Sequence, residues 1–229
     1  MKFKPLHYLF CIMYPNLCVV CGENLQKQEQ QICLNCLHTL PKTNYHLEFG
    51  NNIEKRFWGK VELNRATAFF HFQKGSPFQK ILHSLKYKDN KELGWLLGKY
   101  AAVDLLESPD FKSIDIIIPV PLHPKKLKQR GYNQSEWIAK GISEIMCKPQ
   151  DIKTLIRTKE NTTQTRKSVF ERFENTEGIF KITETADIEG KHILLIDDVL
   201  TTGSTLEACI KALLEIKGVR VSVFALAVA

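Results

Sequence analysis

The residues best equipped for chemistry lie in one run, Ile193-Leu194-Leu195-Ile196-Asp197-Asp198-Val199-Leu200-Thr201-Thr202-Gly203-Ser204-Thr205. Four apolar residues predict a buried strand, with two acids at its carboxyl end. A small, hydroxyl-rich loop follows, then a helix from Leu206 to about Ile216. In parallel α/β sheets, ligands bind outside the carboxyl ends of strands. A helix N-terminus offers free N–H groups and the positive end of a dipole to a phosphate. Gly203 lets the backbone approach an anion, and successive N–H groups can form an anion-holding nest. The hydroxyls of Thr201, Thr202, Ser204 and Thr205 add donors. The acids suit ribose hydroxyls, or Mg²⁺ held against a pyrophosphate. The plain alternative is an ordinary strand-to-helix turn with a solvated Asp-Asp pair, but strand, loop and helix together are the setting that such a motif needs.

The run resembles the phosphoribosyl-pyrophosphate (PRPP) site of type I phosphoribosyltransferases at every position: four apolar residues, an acid pair, two apolar residues, then Thr-Thr-Gly-x-Thr. The resemblance implies that Asp197 and Asp198 bind the ribose 2′- and 3′-hydroxyls, and that Thr201, Thr202, Gly203, Ser204 and Thr205 cradle the 5′-phosphate. It also implies Mg²⁺ carried with PRPP.

A second constellation is Cys18-Val19-Val20-Cys21 and, after eleven intervening residues, Cys33-Leu34-Asn35-Cys36. Paired Cys-x-x-Cys knuckles present four thiolates and suit a tetrahedral structural Zn²⁺. Gly22 follows the first pair, as a tight knuckle turn wants. A disulfide framework would need an oxidising compartment. A redox Cys-x-x-Cys normally stands alone beside a βαβ unit. The paired spacing favours zinc. Cys11, Cys147 and Cys209 fit neither pair and receive no role.

The charge is uneven. The net charge is +7, and between Pro121 and Arg172 there are twelve Lys or Arg against five Asp or Glu. The whole excess therefore sits in this stretch, and a localised basic field attracts polyanions; a solvated basic surface with no ligand has the same composition. Ser113 to Val120 predicts a strand, rich in β-branched apolar residues. A basic loop follows, from Leu122 to Gln134, and then a helix with Trp137, Ile138, Ile142, Ile145 and Met146 on its apolar face. In a phosphoribosyltransferase such a loop holds the leaving pyrophosphate. Lys128, Arg130 and Gly131 are the candidates, with Asn133 and Gln134 as polar contacts or helix-start residues.

The wording of this loop narrows the resemblance. Pro-Val-Pro-Leu-His, basic residues, then Arg-Gly-Tyr-Asn-Gln is similar to the ComF/ComFC competence proteins, which are amidophosphoribosyltransferase-like. So are the four-cysteine module, Leu85-Lys86-Tyr87-Lys88, and the Thr158 to Phe180 stretch with Gln164, Arg166, Arg172, Asn175 and Gly178. The resemblance implies a part in natural competence and DNA uptake, with single-stranded DNA and a competence helicase or other competence proteins as partners. It implies a flexible loop that closes over PRPP, where Lys159, Gln164 and Arg166 fall; an ordinary surface loop fits those residues equally well. A non-catalytic PRPP sensor that handles single-stranded DNA, or a zinc-ribbon adaptor, is the competing expectation. Tyr132, Phe170 and Phe173 are candidate stacking platforms, although core packing is the commoner use of aromatics.

These units require positioning elements. Strands are expected at Arg65 to Phe72, Ile152 to Arg157, Ile179 to Ile182, His192 to Ile196 and Val219 to Val228, and helices at Pro77 to Tyr87 and Glu92 to Leu106. Strands alternating with helices imply a doubly covered, largely parallel sheet. The expected organisation is an N-terminal amphipathic helix and zinc ribbon over 1–46, a connector over 47–63, and a type I phosphoribosyltransferase-like α/β domain over 64–229. No apolar run reaches the ~18 residues of a membrane span, and no cleavable signal follows the short apolar stretch after Lys4. The chain reads as cytoplasmic.

Overall fold

The computed structural model describes residues 16–158, 178–183 and 187–229. The elements run in the order α1 (Leu34–His38), β1 (Arg65–His71), α2 (Gln79–Tyr87), α3 (Lys91–Leu105), α4 (Pro109–Lys112), β2 (Ile116–Pro119), α5 (Pro124–Arg130), α6 (Gln134–Met146), β3 (Leu155–Arg157), β4 (Phe180–Ile182), β5 (His192–Leu200), α7 (Ser204–Leu214) and β6 (Arg220–Val228). Four strands form a wholly parallel sheet in the order β1-β6-β5-β2. β3 and β4 make a separate antiparallel pair.

The strand residues are apolar on both sides because both faces are covered. On one face, Ile117, Leu194, Ile196, Phe224 and Leu226 pack with α2, α3 and α6. On the other, Ile116, Ile118, Ile193, Leu195, Val221 and Val223 pack with α7 and the β3–β4 pair. Alternate strand residues therefore belong to different cores, as the two-residue period demands. His192 is fully buried at the start of β5, bonded to Ser113 Oγ through Nδ1 at 2.9 Å and to Ser222 Oγ through Nε2 at 2.8 Å. Burial holds its pKa below the ordinary histidine value.

Both sheet edges are covered. Thr43 donates its N–H to Phe69, and His71 donates to Pro41, along the open side of β1. Gln150 bridges to Ile117 on the outer side of β2. The four-cysteine module is continuous with the main core: Cys18, Val20, Ile32, Cys36 and Leu40 share one buried cluster with Ile81, Leu82 and Leu85 of α2 and Leu93 and Leu97 of α3. Lys80 Nζ donates to the Val20 carbonyl at 2.8 Å.

α3 and α6 touch backbone to backbone. A Cβ at Gly98 would lie 2.2 Å from the Ile138 carbonyl oxygen, and one at Gly141 would lie 2.0 Å from that of Trp95. Only glycine fits at this crossing, which fixes α6 and its N-terminus against the sheet.

Two sequence-derived boundaries change. β5 runs on through the acids to Leu200, because Asp197 pairs with Ala225 and Leu200 with Val228 of β6. The basic segment after β2 is mostly helix rather than loop. Pro124 opens α5, His123 Nδ1 accepts the Lys125 N–H at its N-cap, and Gly131 closes it in the left-handed region at φ +77°. These are ordinary helix start and stop signals. The N-terminal helix, Cys11, Phe170, Phe173 and the loop residues Lys159, Gln164 and Arg166 lie outside the described residues.

Candidate functional site

β2 and β5 are parallel neighbours, so the segments after them leave from the same edge of the sheet. From β2 the chain passes through α5 and α6 and then outward to Gln150. From β5 it passes through α7 to β6 on the opposite side. Connections that diverge in this way, with α6 on one face and α7 on the other, leave a crevice at the carboxyl ends of β2 and β5. This is the topological switch point at which α/β sheets bind ligands.

Asp197 and Asp198 stand at that crevice. Ser135 Oγ, in the first turn of α6, donates to Asp197 Oδ1 at 3.2 Å, and the Asp198 N–H donates to the same oxygen at 2.8 Å. Asp197 is only partly exposed, and packing around its carboxylate, followed by the charge of Asp198, raises its pKa to about 7. Asp198 Oδ2 pairs with Lys86 Nζ of α2 at 3.1 Å. Two adjacent carboxylates under this mutual pressure are a setting in which a divalent cation or hydroxyl donors are favourable.

The loop after β5 exposes Thr201, Thr202 and Ser204, half-buries Thr205, and buries Gly203. Gly203 sits in the left-handed region at φ +83° as the N-cap of α7. A Cβ there would come within 3.3 Å of the Phe57 ring. Thr202 Oγ1 and Ser204 Oγ lie 3.1 Å apart. The α7 N-terminus therefore presents hydroxyls and free N–H groups together, a set of donors suited to a phosphate. Arg56 braces this loop, donating to the Thr201 carbonyl and, at 2.9 Å, to the Ala229 carbonyl. The connector over 47–63 thus abuts the loop, a placement that nothing in its sequence signals.

The basic segment supplies a second wall. Lys128 is exposed on α5. Arg130 donates to Gln134 Oε1 at 3.0 Å, and Gln134 Nε2 donates to the Leu85 carbonyl at 3.2 Å. Tyr132 is buried and its hydroxyl donates to the same carbonyl. Burial pushes its pKa up to about 12, so Tyr132 is a core residue and not a stacking surface. Asn133 caps α6 through Ser135 N–H and donates to the Val120 carbonyl at 3.0 Å. Asn133 and Gln134 therefore act as helix-start and bracing residues. A cleft of about 500 Å³ opens between Lys86, Tyr87, Asp89, Gln129 and Arg130. Lys86 and Ser135 are the site residues that sequence spacing does not reveal, because both reach the acids only through the tertiary fold.

The four cysteines of the N-terminal module converge. Their sulfur atoms all lie within 4.8 Å of one another, with Cys21 and Cys33 Sγ 3.8 Å apart. A tetrahedron with Zn–S bonds of ~2.3 Å has edges of about 3.8 Å, whereas a disulfide needs ~2.05 Å. Gly22 turns the first knuckle at φ +86°. Burial raises the pKa of Cys18, but N–H donors from Cys33, Cys21 and Val20 outweigh it and bring the thiol down to about 6. Burial and the neighbouring thiols push Cys36 up, a strain that a bound cation relieves. The donor set fits Zn²⁺. Cys147 is exposed at the end of α6 and Cys209 is buried in α7, neither near this cluster in the set that could hold a metal.

Residues 137–229 match the phosphoribosyl transferase domain. The "DNA utilization protein YhgH" of Shigella flexneri is 27% identical over 214 residues, covering 92% of this chain and 89% of that protein. "Competence protein F" of Haemophilus influenzae is 29% identical, covering 92% and 83%. "Competence protein ComFC" of Bacillus subtilis is 37% identical over 108 residues, covering 47% and 41%. The matched domain runs from α6 through the acid pair and the Thr201–Thr205 loop to β6, and the similarity to Competence protein F, at 92% of this chain, reaches well beyond that domain. With its parallel sheet covered on both faces and its front four-cysteine cluster, the chain has a type I phosphoribosyltransferase fold, and its similarity to the DNA utilization and competence proteins supports a place among ComF-type proteins.

Proposed function

We propose that the chain binds PRPP in the crevice between β2 and β5, where an incoming nitrogen nucleophile forms a bond to C1 of the ribose as pyrophosphate leaves, in the service of DNA uptake. The observation that carries this reading is the direct succession of the acid pair, the Gly203 turn and the α7 N-terminus at the switch point of the sheet. Asp197 and Asp198 would take the ribose 2′- and 3′-hydroxyls. Thr201, Thr202, Gly203, Ser204 and Thr205 would hold the 5′-phosphate. Lys128, Arg130 and Gly131, beside the crevice, would steady the pyrophosphate as it leaves, and stabilising a departing anion is the largest service such a site can render. The carboxylate pair suits a Mg²⁺ that arrives with PRPP and neutralises the diphosphate. Lys159, Gln164 and Arg166, outside the described residues, are the candidates that the family resemblance offers for covering the ligand. A structural Zn²⁺ on Cys18, Cys21, Cys33 and Cys36 agrees with a reducing compartment such as the cytoplasm. Among the described residues, no helix is long and apolar enough to cross a membrane.

A second reading, PRPP binding without turnover in a protein that handles single-stranded DNA, has its own support. The connector exposes 62% of Trp58 and 82% of Phe49. Lys55 and Lys60 are exposed close by in the sequence. Aromatic faces among cations are the means of single-strand binding. The relatives named for competence and DNA utilization agree with either reading. Calorimetric titration with PRPP and Mg²⁺, followed by a pyrophosphate-release assay with nucleobases, separates them. Binding with acceptor-dependent release supports the transferase. Binding without release supports the sensor. No binding removes both.

A further inference from the structure

Lys86 of α2 pairs with Asp198 of the acid pair, and it also lines the cleft whose opposite side carries Gln129 and Arg130. The two roles compete. While Lys86 holds Asp198 Oδ2 at 3.1 Å, it covers an oxygen that a ribose hydroxyl would need. The pair is not sealed: the side chains are 26% and 15% exposed, so ligand can reach both partners.

The walls of the cleft are cross-braced. Gln134 donates through Nε2 to the carbonyl of Leu85, the residue before Lys86, and accepts from Arg130 through Oε1. Tyr132 adds a second donor to the Leu85 carbonyl. The end of α2 and the end of α5 are therefore tied through one buried amide, which sets Lys86 and Arg130 at a fixed distance before any ligand arrives. Such pre-organisation lowers the cost of binding. A point-charge ammonium and a guanidinium across a cleft match an anion with several terminal oxygens. Asp89 lines the same cleft, and an anion that carries its own divalent cation tolerates a carboxylate there.

We propose that Lys86 exchanges partners on ligand binding: it leaves Asp198 to the ribose hydroxyls and, with Arg130, holds the diphosphate arm of the ligand. This inference rests on the reading of the acid pair as a ribose site. It makes Lys86 a selector for the diphosphate rather than a fixed counter-ion.

The test is calorimetry on the full chain with two probes, PRPP with Mg²⁺ and ribose 5-phosphate, which lacks the diphosphate. For Lys86→Ala, PRPP affinity should fall by about tenfold to a hundredfold, the worth of one charge-assisted contact. Ribose 5-phosphate affinity should stay within about threefold or rise, because Asp198 is freed. Lys86→Arg should restore most of the loss. Should the alanine variant fail a thermal-unfolding check, Lys86→Gln keeps the stem, removes the charge and gives the same readout. Equal losses for both probes, or no loss for either, with the wild type binding PRPP, would overturn the exchange and leave the ribose reading standing. A wild type that binds neither probe removes the ribose reading and this inference with it.

Discussion

Ser135 Oγ and the Asp198 N–H donate to the same oxygen of Asp197, at 3.2 and 2.8 Å. Both bonds fall on one Oδ of Asp197, which commits that oxygen to the protein. The donor on α6 fixes the rotamer of an acid on β5, so the crevice is braced across the two elements that define it. Ser135→Ala should weaken PRPP binding by about threefold to tenfold, the worth of one hydrogen bond to a partly shielded carboxylate. It should also raise the Asp197 pKa further, read by a carboxyl-carbon NMR titration. An unchanged titration would show that the contact is idle.

Asp197 holds its proton to about pH 7, against an ordinary value of 3.8. Below about pH 4 the folded and unfolded chains both carry that proton, and no penalty exists. Between about pH 4 and 7 the folded chain keeps a proton that the unfolded chain releases, so stability falls as pH rises through this window. Asp197→Asn has no such proton. Its unfolding free energy should match the wild type at pH 4 and exceed it at pH 8 by the order of 2 kcal/mol, allowing for solvent around a partly exposed group. Denaturant unfolding at the two pH values decides it, and a pH-independent difference would contradict the assignment.

Gly141 and Gly98 permit the backbone contact of α3 with α6. Gly141→Ala should cost about 1–3 kcal/mol by forcing the helices apart. Because Ser135 and Gln134 sit at the start of the displaced helix, PRPP affinity should fall with stability. A variant that loses stability but binds PRPP as before would uncouple the crossing from the site.

Elemental analysis of purified protein should find zinc at one equivalent per chain. Cys21→Ser or Cys33→Ser should remove it and lower the thermal midpoint by more than about 5 °C, because the metal-bound module shares the main core. Cys147→Ser, outside the cluster, should leave both values alone. Retained zinc in either cluster variant would reassign the ligands.

Much of this was written locally. The apolar start of β5, the acids, the Gly203 turn and the cysteine spacing each carry their signal within a few residues, because strands, caps and metal knuckles are local devices. The end of β5 was not, since an acid pair reads as the close of a strand and only pairing with β6 carries the ladder on to Leu200. α5 was signalled by Pro124 and Gly131, but its lysines and arginine carry no apolar stripe, so it resembles a loop. Arg56 had no signal at all, and Lys86 stood out only as part of the Leu85-Lys86-Tyr87-Lys88 resemblance, with no role attached. Their partners, Asp198 and the Thr201 carbonyl, are more than a hundred residues away, and only folding brings them together.

The strip Pro41–Thr43 that lies along β1 has a bearing on how this protein can be cut. A truncation that begins after residue 46 would discard the cysteine knuckles, the apolar cover of Ile81, Leu82 and Leu85, and the strip that caps the first strand of the sheet. What remains would present a bare strand beside an uncovered greasy helix, a template on which further copies could stack. The front module is in that sense a hem: without it the fabric of the sheet would fray into aggregates.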